Sequence, residues 1–460
     1  MTTTNDENSS TPPNVVCALR EAIIAANTDA PVGACPAGSK GTDTIALPKG
    51  KYLLTIAGTG EDAAQTGDLD ILDDVVIQGV GADLAIIEGN GIDRVFHVIA
   101  GATGSVQFSG VTIRGGAPEG IYDSSGAISV VSSIVEANAG AGISATDPTT
   151  IASSTLRDNG DAAIFLSLAY FESSSITDSL VENNASPNNA AVSAFSGIVT
   201  ITRTTVRGNN ALYGAIVVGG SGTIVDSTIE GNGSVTTSFG AVNTACIGWT
   251  CSSSLDISGS TISGNQSDGL VLGRAYATVK NSTISGNTGR GAYIISSSVD
   301  LVHVTIAKNT GLALDNENGG IFGPADTRLA NTILSDGGCV NVASTLTSLG
   351  GNVESPGNTC LLTDPSDQPG VASAGLVALG MAGGLTKTHA LSPSSPAVGA
   401  GLAANCLATD QRGIARPAPS GGNCDSGAYE LTGCGASLSG AGLVLPAVVL
   451  HRRRRRRSAT

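Results

Sequence analysis

The chain is poor in rings and in positive charge. Aromatic residues make up 3% of its 460 positions, with one tryptophan, which excludes a core built on stacked rings and fits a narrow interior. Only 23 lysines and arginines stand against 38 acids, and even with six arginines near its end the net charge is −15. A surface of that sign repels nucleic acid and anionic polysaccharide, and suits an extracellular protein or one that binds divalent cations. The chain shows no apolar run of the ~20 residues needed for a stable membrane-spanning helix. No Cys-x-x-Cys and no grouping of the four histidines supports a zinc site. The opening residues have no basic or apolar segment and no cleavage site, so a signal peptide is not read there.

What is present is a repeat. The phrase Asn281-Ser282-Thr283-Ile284-Ser285-Gly286-Asn287 returns from about residue 106 to 334, and its final asparagine recurs as Asn138, Asn159, Asn184, Asn209, Asn232, Asn265, Asn287 and Asn309, in steps of 21, 25, 25, 23, 33, 22 and 22. Ser282 and Ile284 lie two apart, as do Ala292 and Ile294, which is the strand period. Repeats of this length holding two or three short strands predict a right-handed parallel β-helix, each turn stacked about 4.8 Å above the last. About twelve rungs would give a rod of roughly 60 Å. The 62 glycines serve sharp corners. A leucine-rich solenoid would instead place Leu at fixed points with a helix per unit, whereas the repeated apolar residue here is Ile or Val.

The residue after the apolar member of each phrase alternates in sign, as Arg114, Glu136, Arg157, Glu182, Arg207 and Glu230, and then turns neutral at Ser263, Ser285 and Ala307. A strip for one ligand would carry one sign, so the column predicts an exposed ion-pair ladder, each pair contributing ~0.2–1 kcal/mol. On this reading Arg157→Glu destabilises the coil and Ser285→Glu does little. The recurrent asparagines are expected as side-chain amides stacked from rung to rung at a turn.

Eight of nine cysteines are near neighbours: Cys17 with Cys35, Cys246 with Cys251, Cys339 with Cys360, and Cys406 with Cys424. Local pairs read as disulfides of an oxidising compartment. Cys246 and Cys251 fall in the one 33-residue step and are expected to pin an inserted loop with Trp249 at its tip.

The stretch from Cys17 to Asn27 reads as a short amphipathic helix with Leu19, Ile23 and Ala26 on one face. It resembles the CSLREA-type opening of bacterial surface β-helices, with Ala18 where serine is usual. The likeness continues through Asp43-Thr44-Ile45, Gly67-Asp68-Leu69-Asp70-Ile71, Ile77-Gln78-Gly79 and Asp93-Arg94-Val95-Phe96-His97-Val98. It implies a helix capping the first rung, and an export signal upstream of Met1. Farther on, Leu391-Ser392-Pro393, Asp410-Gln411-Arg412-Gly413, Arg416-Pro417 and Cys424-Asp425-Ser426-Gly427-Ala428-Tyr429-Glu430 resemble the choice-of-anchor Q domain, with Asp410 and Arg412 placed to pair. The tail, Gly433-Cys434-Gly435, then fifteen weakly apolar residues, His451 and six arginines, resembles the MYXO-CTERM sorting signal. That likeness implies processing at Cys434 by a membrane sorting protease, with membrane contact only through the tail before processing, on a Gram-negative cell surface. The expected organisation is a disordered lead at 1–13, capping helix and first rungs at 14–100, coil at 101–335, an irregular terminal region at 336–432 and the sorting tail at 433–460.

Many β-helices degrade polysaccharides, but fold does not decide activity. A galacturonan hydrolase of this shape would show Gly-His-Gly and Arg-x-Lys, and both are absent. Asn27-Thr28-Asp29 matches one short phrase of that family but directly follows the capping helix. His97, His303, His389 and His451 have no sequence partner at catalytic spacing. The densest acidic group, Asp68, Asp70, Asp73 and Asp74, reads as solvated edge residues or as calcium ligands without a loop signature. The sequence thus points to an exported, surface-anchored structural or adhesive rod without a cofactor other than calcium, its ligand a surface polysaccharide or protein. The alternative is a polysaccharide lyase or glycoside hydrolase.

Overall fold

A computed structural model describes residues 1–8, 15–101, 104–234, 239–244 and 253–432. The chain winds as a right-handed parallel β-helix with three faces. Face A runs from strand Asp43–Leu47 to Thr345–Ser348, face B from Gly50–Leu53 to Val353–Ser355, and face C from Leu69–Ile71 to Cys339–Val342. Among the described residues faces A and B each hold thirteen strands and face C twelve, against about twelve rungs expected. Every strand pairs in parallel with its equivalent one turn later, as Ile262 with Ile284 and Ile284 with Ile306. These inward residues are fully buried and stack in one continuous core.

The recurrent phrase encodes two corners and the strand between them. Asn281 (φ 44°) turns the chain out of face A, Thr283–Ser285 forms the face B strand, and Gly286 (φ 67°) turns it again. Glycine is not obligatory there: Ala137, Asp158, Asn183 and Lys308 adopt the same left-handed conformation in other rungs. After most of these corners comes a buried polar residue that bonds to the next rung; Val111 and Val304 are exceptions. Asn184 Oδ1 accepts from the backbone N–H and Nδ2 of Asn159 (3.1 and 2.9 Å), and Asn184 donates both equivalents to Asn209 Oδ1. This amide ladder runs from Asn138 to Asn309. A second ladder follows the first corner, where the backbone N–H of Ser133, Ser154, Ser179, Thr204, Ser227 and Ser260 each donates to the hydroxyl one rung on.

The ends are closed differently. Helix α1 (Leu19–Thr28) lays Leu19, Ile23 and Ala26 on the first rung, as expected. Ala18 offers no hydroxyl, and the Glu21 carboxylate accepts the Ala18 N–H at 3.0 Å. Arg20 is wholly buried, bonded to the carbonyls of Ala64, Gly67 and Asp68 and to Asp6 at 2.7 Å. Of the lead at 1–13, residues 9–13 lie outside the described residues; Asp6 also accepts the N–H groups of Thr55 and Ile56. Beyond Val353–Ser355 the irregular region does more than cap, for it runs back along face B as a strap. Thr386 bonds Gly259, Gln411 bonds Thr283, His389 Nε2 meets Ser285 Oγ at 2.8 Å, and the Ala428 N–H donates to Thr305. The Asp410–Arg412 pair forms at 2.7 Å, and Arg416–Glu430 is a fully buried pair at 2.9 Å.

The strap explains the charge column and corrects part of its reading. Arg114 pairs with Glu88 and Glu136, Arg157 with Glu136, and Arg207 with Glu182, all half-exposed. Lys387 of the strap pairs with Glu230, the last acid. Beyond it Ser263, Ser285 and Ala307 are buried, not exposed, because the strap covers them. The change from charged to small residues is the footprint of that cover.

Three expectations follow for stability. Asn184→Leu leaves the Asn159 backbone N–H unpaired and removes one of two partners from Asn159 Nδ2 and from Asn209 Oδ1, and should cost about 1–3 kcal/mol in denaturant unfolding. Arg207→Ala, losing a half-exposed pair, should cost ~0.2–1 kcal/mol. Ser285→Glu should now be more damaging than Arg157→Glu, because it drives a carboxylate under the strap, and comparison of melting temperatures checks the order. A further expectation concerns pH. Burial, then the Arg416 charge, pulls the pKa of His303 down to about 3, while an unfolded histidine titrates near ~6.5. Between those values the unfolded chain takes up a proton that the folded chain refuses, so stability falls as pH drops through that window. From pH 7 to pH 5 the wild type should lose roughly 2 kcal/mol more than His303→Gln.

Candidate functional site

Parallel stacking turns equivalent positions into columns, and the outer column of face C gathers the chemistry. In register it reads Asp70, His97, Tyr122, Ser144, Phe165, Ser193, Val217 and Asn243. At its first rungs His97 Nδ1 lies 3.3 Å from Asp70 Oδ1 and 3.4 Å from Asp62 Oδ1. His97 Nε2 meets Ser124 Oγ at 3.1 Å, and its ring lies 5.3 Å from that of Tyr122. The Arg94 guanidinium sits 5.2 Å from the Tyr122 ring centre and pairs with Asp68 at 2.7 Å. Burial and the neighbouring Asp70 push the Asp68 carboxyl up to about 6, against the pull of Arg94.

Two expectations change here. His97 does have partners, 27 residues before and 25 after, which sequence spacing alone did not single out. The four aspartates do not converge as solvated edge residues or as one calcium set. Asp68 and Asp70 are buried, Asp73 accepts the N–H of Asp74, and Asp74 accepts that of Ser105. Asn27 is structural: its side chain donates to the Asp70 carbonyl and accepts from the Leu72 N–H.

Farther along the same face is an aromatic cleft of about 650 Å³. Phe165 and Phe195 form one wall with ring centres 5.5 Å apart, Tyr213 and Phe239 another at 4.8 Å. Asn188, Asn189, Val217, Asn243 and the hydroxyl of Ser167 line the rest, with no charged side chain among the lining residues; Asn188 and Asn189 donate to Asp161, and Asn243 is bonded to Gly240 and to the Tyr213 carbonyl. Four of the chain's fifteen rings meet here, at positions without a common period, and no repeated phrase marked them.

A second groove, about 1080 Å³, lies between the strap at Leu376, Val377 and Leu379 and the column residues Glu182, Arg207 and Glu230. Its polar groups are already engaged with each other, as in Glu182–Arg207 and Glu230–Lys387. His303 stands near Cys406 and Cys424, but those sulfurs are bonded to each other.

Cys17–Cys35, Cys339–Cys360 and Cys406–Cys424 are disulfides, as expected, and they accord with an oxidising extracellular or periplasmic compartment. Cys246, Cys251, Trp249 and Cys434 lie outside the described residues. Among the described residues no helix is long and apolar enough to cross a membrane.

Residues 245–324 match the family described as "Right handed beta helix region". No curated protein matches the chain. Among solved structures, a mannuronan C-5 epimerase A-module of Azotobacter vinelandii is 16% identical with a TM-score of 0.43, over 72% of this chain and 87% of that one. The catalytic unit of an α-1,3-glucanase from Streptomyces thermodiastaticus is 16% identical with a TM-score of 0.44, over 66% and 64%. Pectate lyase Pel9A is 14% identical with a TM-score of 0.37, over 84% and 87%. At these values the likenesses carry nothing about activity. Strand pairing and the matched region together make this chain a right-handed parallel β-helix protein.

Proposed function

We propose that the protein is an exported adhesive rod that holds a neutral polysaccharide against face C. The observation that carries this is the aromatic cleft. Ring faces pack on the C–H faces of sugars, while the Ser167 hydroxyl and the amide oxygens of Asn188 and Asn189 are placed to take up sugar hydroxyls. Its uncharged lining and the chain's net charge of −15 favour a neutral polymer over an anionic one. Three disulfides support an oxidising compartment. Surface attachment rests on the likeness of the opening, terminal region and tail to CSLREA-type, choice-of-anchor Q and MYXO-CTERM sequences. On that reading a sorting protease acts at Cys434.

One observation favours a second reading, a lyase or hydrolase. His97, Asp70, Tyr122 and Arg94 form an acid–base-capable group two rungs from Phe165 on the same face, within reach of a polymer lying along the coil. Reducing ends and unsaturated products, read over neutral and acidic polysaccharides, separate the two. Turnover lost in His97→Ala and Tyr122→Phe would make it an enzyme.

For the rod, Phe165→Ala and Tyr213→Ala should each weaken retention on a neutral glucan or galactan by roughly 3–10-fold, with melting temperature little changed. Affinity electrophoresis at low and high salt checks this, and retention should not depend on salt. Equal retention of wild type and the double variant on every polymer tried would sink the reading.

A further inference from the structure

We propose that Asp62, Asp70 and His97 bind one divalent transition-metal ion, of the zinc or manganese class, at the first rungs of face C. The proposal stands apart from polysaccharide binding and does not need it.

Two buried polar atoms there lack hydrogen-bond partners, Asp70 Oδ1 and His97 Nδ1, and they face each other. Asp70 is fully buried and the His97 side chain is 10% exposed. A buried acceptor left unpaired is costly and calls for an explanation, and here, unlike at the other unpaired buried atoms, two of them and a third ligand atom share one point. Asp62 reaches the same point from the loop above, and the three ligand atoms lie within 4.8 Å of one another.

The distances separate a metal site from an ion pair. A charge-assisted N–H···O bond would close to ~2.7–2.9 Å, as Arg94 and Asp68 do at 2.7 Å. His97 Nδ1 instead stands 3.3 and 3.4 Å from its two carboxylates. Metal–nitrogen and metal–oxygen bonds of ~2.0–2.2 Å at tetrahedral angles set ligand edges of roughly 3.3–3.5 Å. The two edges from His97 match that spacing, and Asp62 and Asp70 lie within 4.8 Å of each other.

The supporting contacts also fit. Ser124 Oγ engages the other ring nitrogen of His97, and the Ala64 N–H donates at 2.7 Å to the second oxygen of Asp70, so two of the three ligands are oriented from behind. The donor set chooses the metal. Calcium takes six to eight oxygens, whereas one imidazole with two carboxylates suits zinc, manganese or cobalt. Three protein ligands leave a position open toward solvent, where the Asp62 side chain is 69% exposed.

The test uses the full chain stripped with a chelator and titrated calorimetrically with Zn²⁺, then loaded with Co²⁺ for its visible spectrum. The expected result is one ion per chain, d–d bands of a low-coordinate nitrogen–oxygen site, and no displacement by a large excess of Ca²⁺. His97→Gln should weaken binding by more than the roughly 10–100-fold that outer-shell changes cost. Asp62→Asn alters an exposed carboxylate and leaves the fold intact, so it should weaken binding without moving the melting temperature, while Asp73→Asn should change nothing. Absence of stoichiometric uptake by a normally folded chain overturns the proposal. So does uptake that both His97→Gln and Asp62→Asn retain at wild-type affinity, or that Ca²⁺ displaces.

Discussion

Every turn of this coil makes two sharp corners between its first faces, and at each corner the backbone leaves its sheet with donors that no strand can accept. The fold depends on meeting that need inside the wall. A hydroxyl follows the first corner and a carboxamide the second, and each takes the donors of the rung before it. An amide has an acceptor and two donors, so one residue type repeated in register can satisfy itself indefinitely. The interior stays apolar only because these ladders hold the polar groups at its edge.

Ladder continuity also decides where the chain can vary. The 33-residue step between Asn232 and Asn265 adds up to a dozen residues to a rung, yet Asn232 Nδ2 still donates to Asn265 Oδ1 at 3.0 Å and the Ser227 N–H to Ser260 at 3.1 Å. Insertions are tolerated outside the two corners and the short strand between them. Face C lies outside that segment, and there the outward residues change from rung to rung, from Asp70 and His97 through Tyr122 to Phe165. Rigidity is spent on one edge of the coil, which leaves another free to carry chemistry.

The coil was legible because its defining residues recur at nearly constant spacing, and the asparagine ladder was readable from one phrase. The strap was half legible. Its imprint, the switch from Glu230 to Ser263, Ser285 and Ala307, was visible, but without a partner in view the neutral residues read as open surface. The sites on face C were hidden for a different reason. His97 meets Asp70 across an irregular first turn, and Asp62 enters from a loop, so no common period links them. Phe165, Phe195, Tyr213 and Phe239 come from both strands and loops of successive rungs, and their convergence is a property of the wound chain alone. The signal available was scarcity: in a chain with fifteen rings, six fall within residues 165–239, and four of these form the cleft.

The position of the strap bears on how the rod meets other molecules. It covers face B from about Gly259 onward and ties itself there through Lys387, Gln411 and His389. The polar cluster and the aromatic cleft both lie on face C, aligned along the coil axis and spaced by whole rungs of about 4.8 Å. A compact ligand would need only one of these places. On the proposed reading, a face with an unpaired polar group at one end and rings farther along suits an extended chain lying parallel to the coil, whose successive units meet successive rungs.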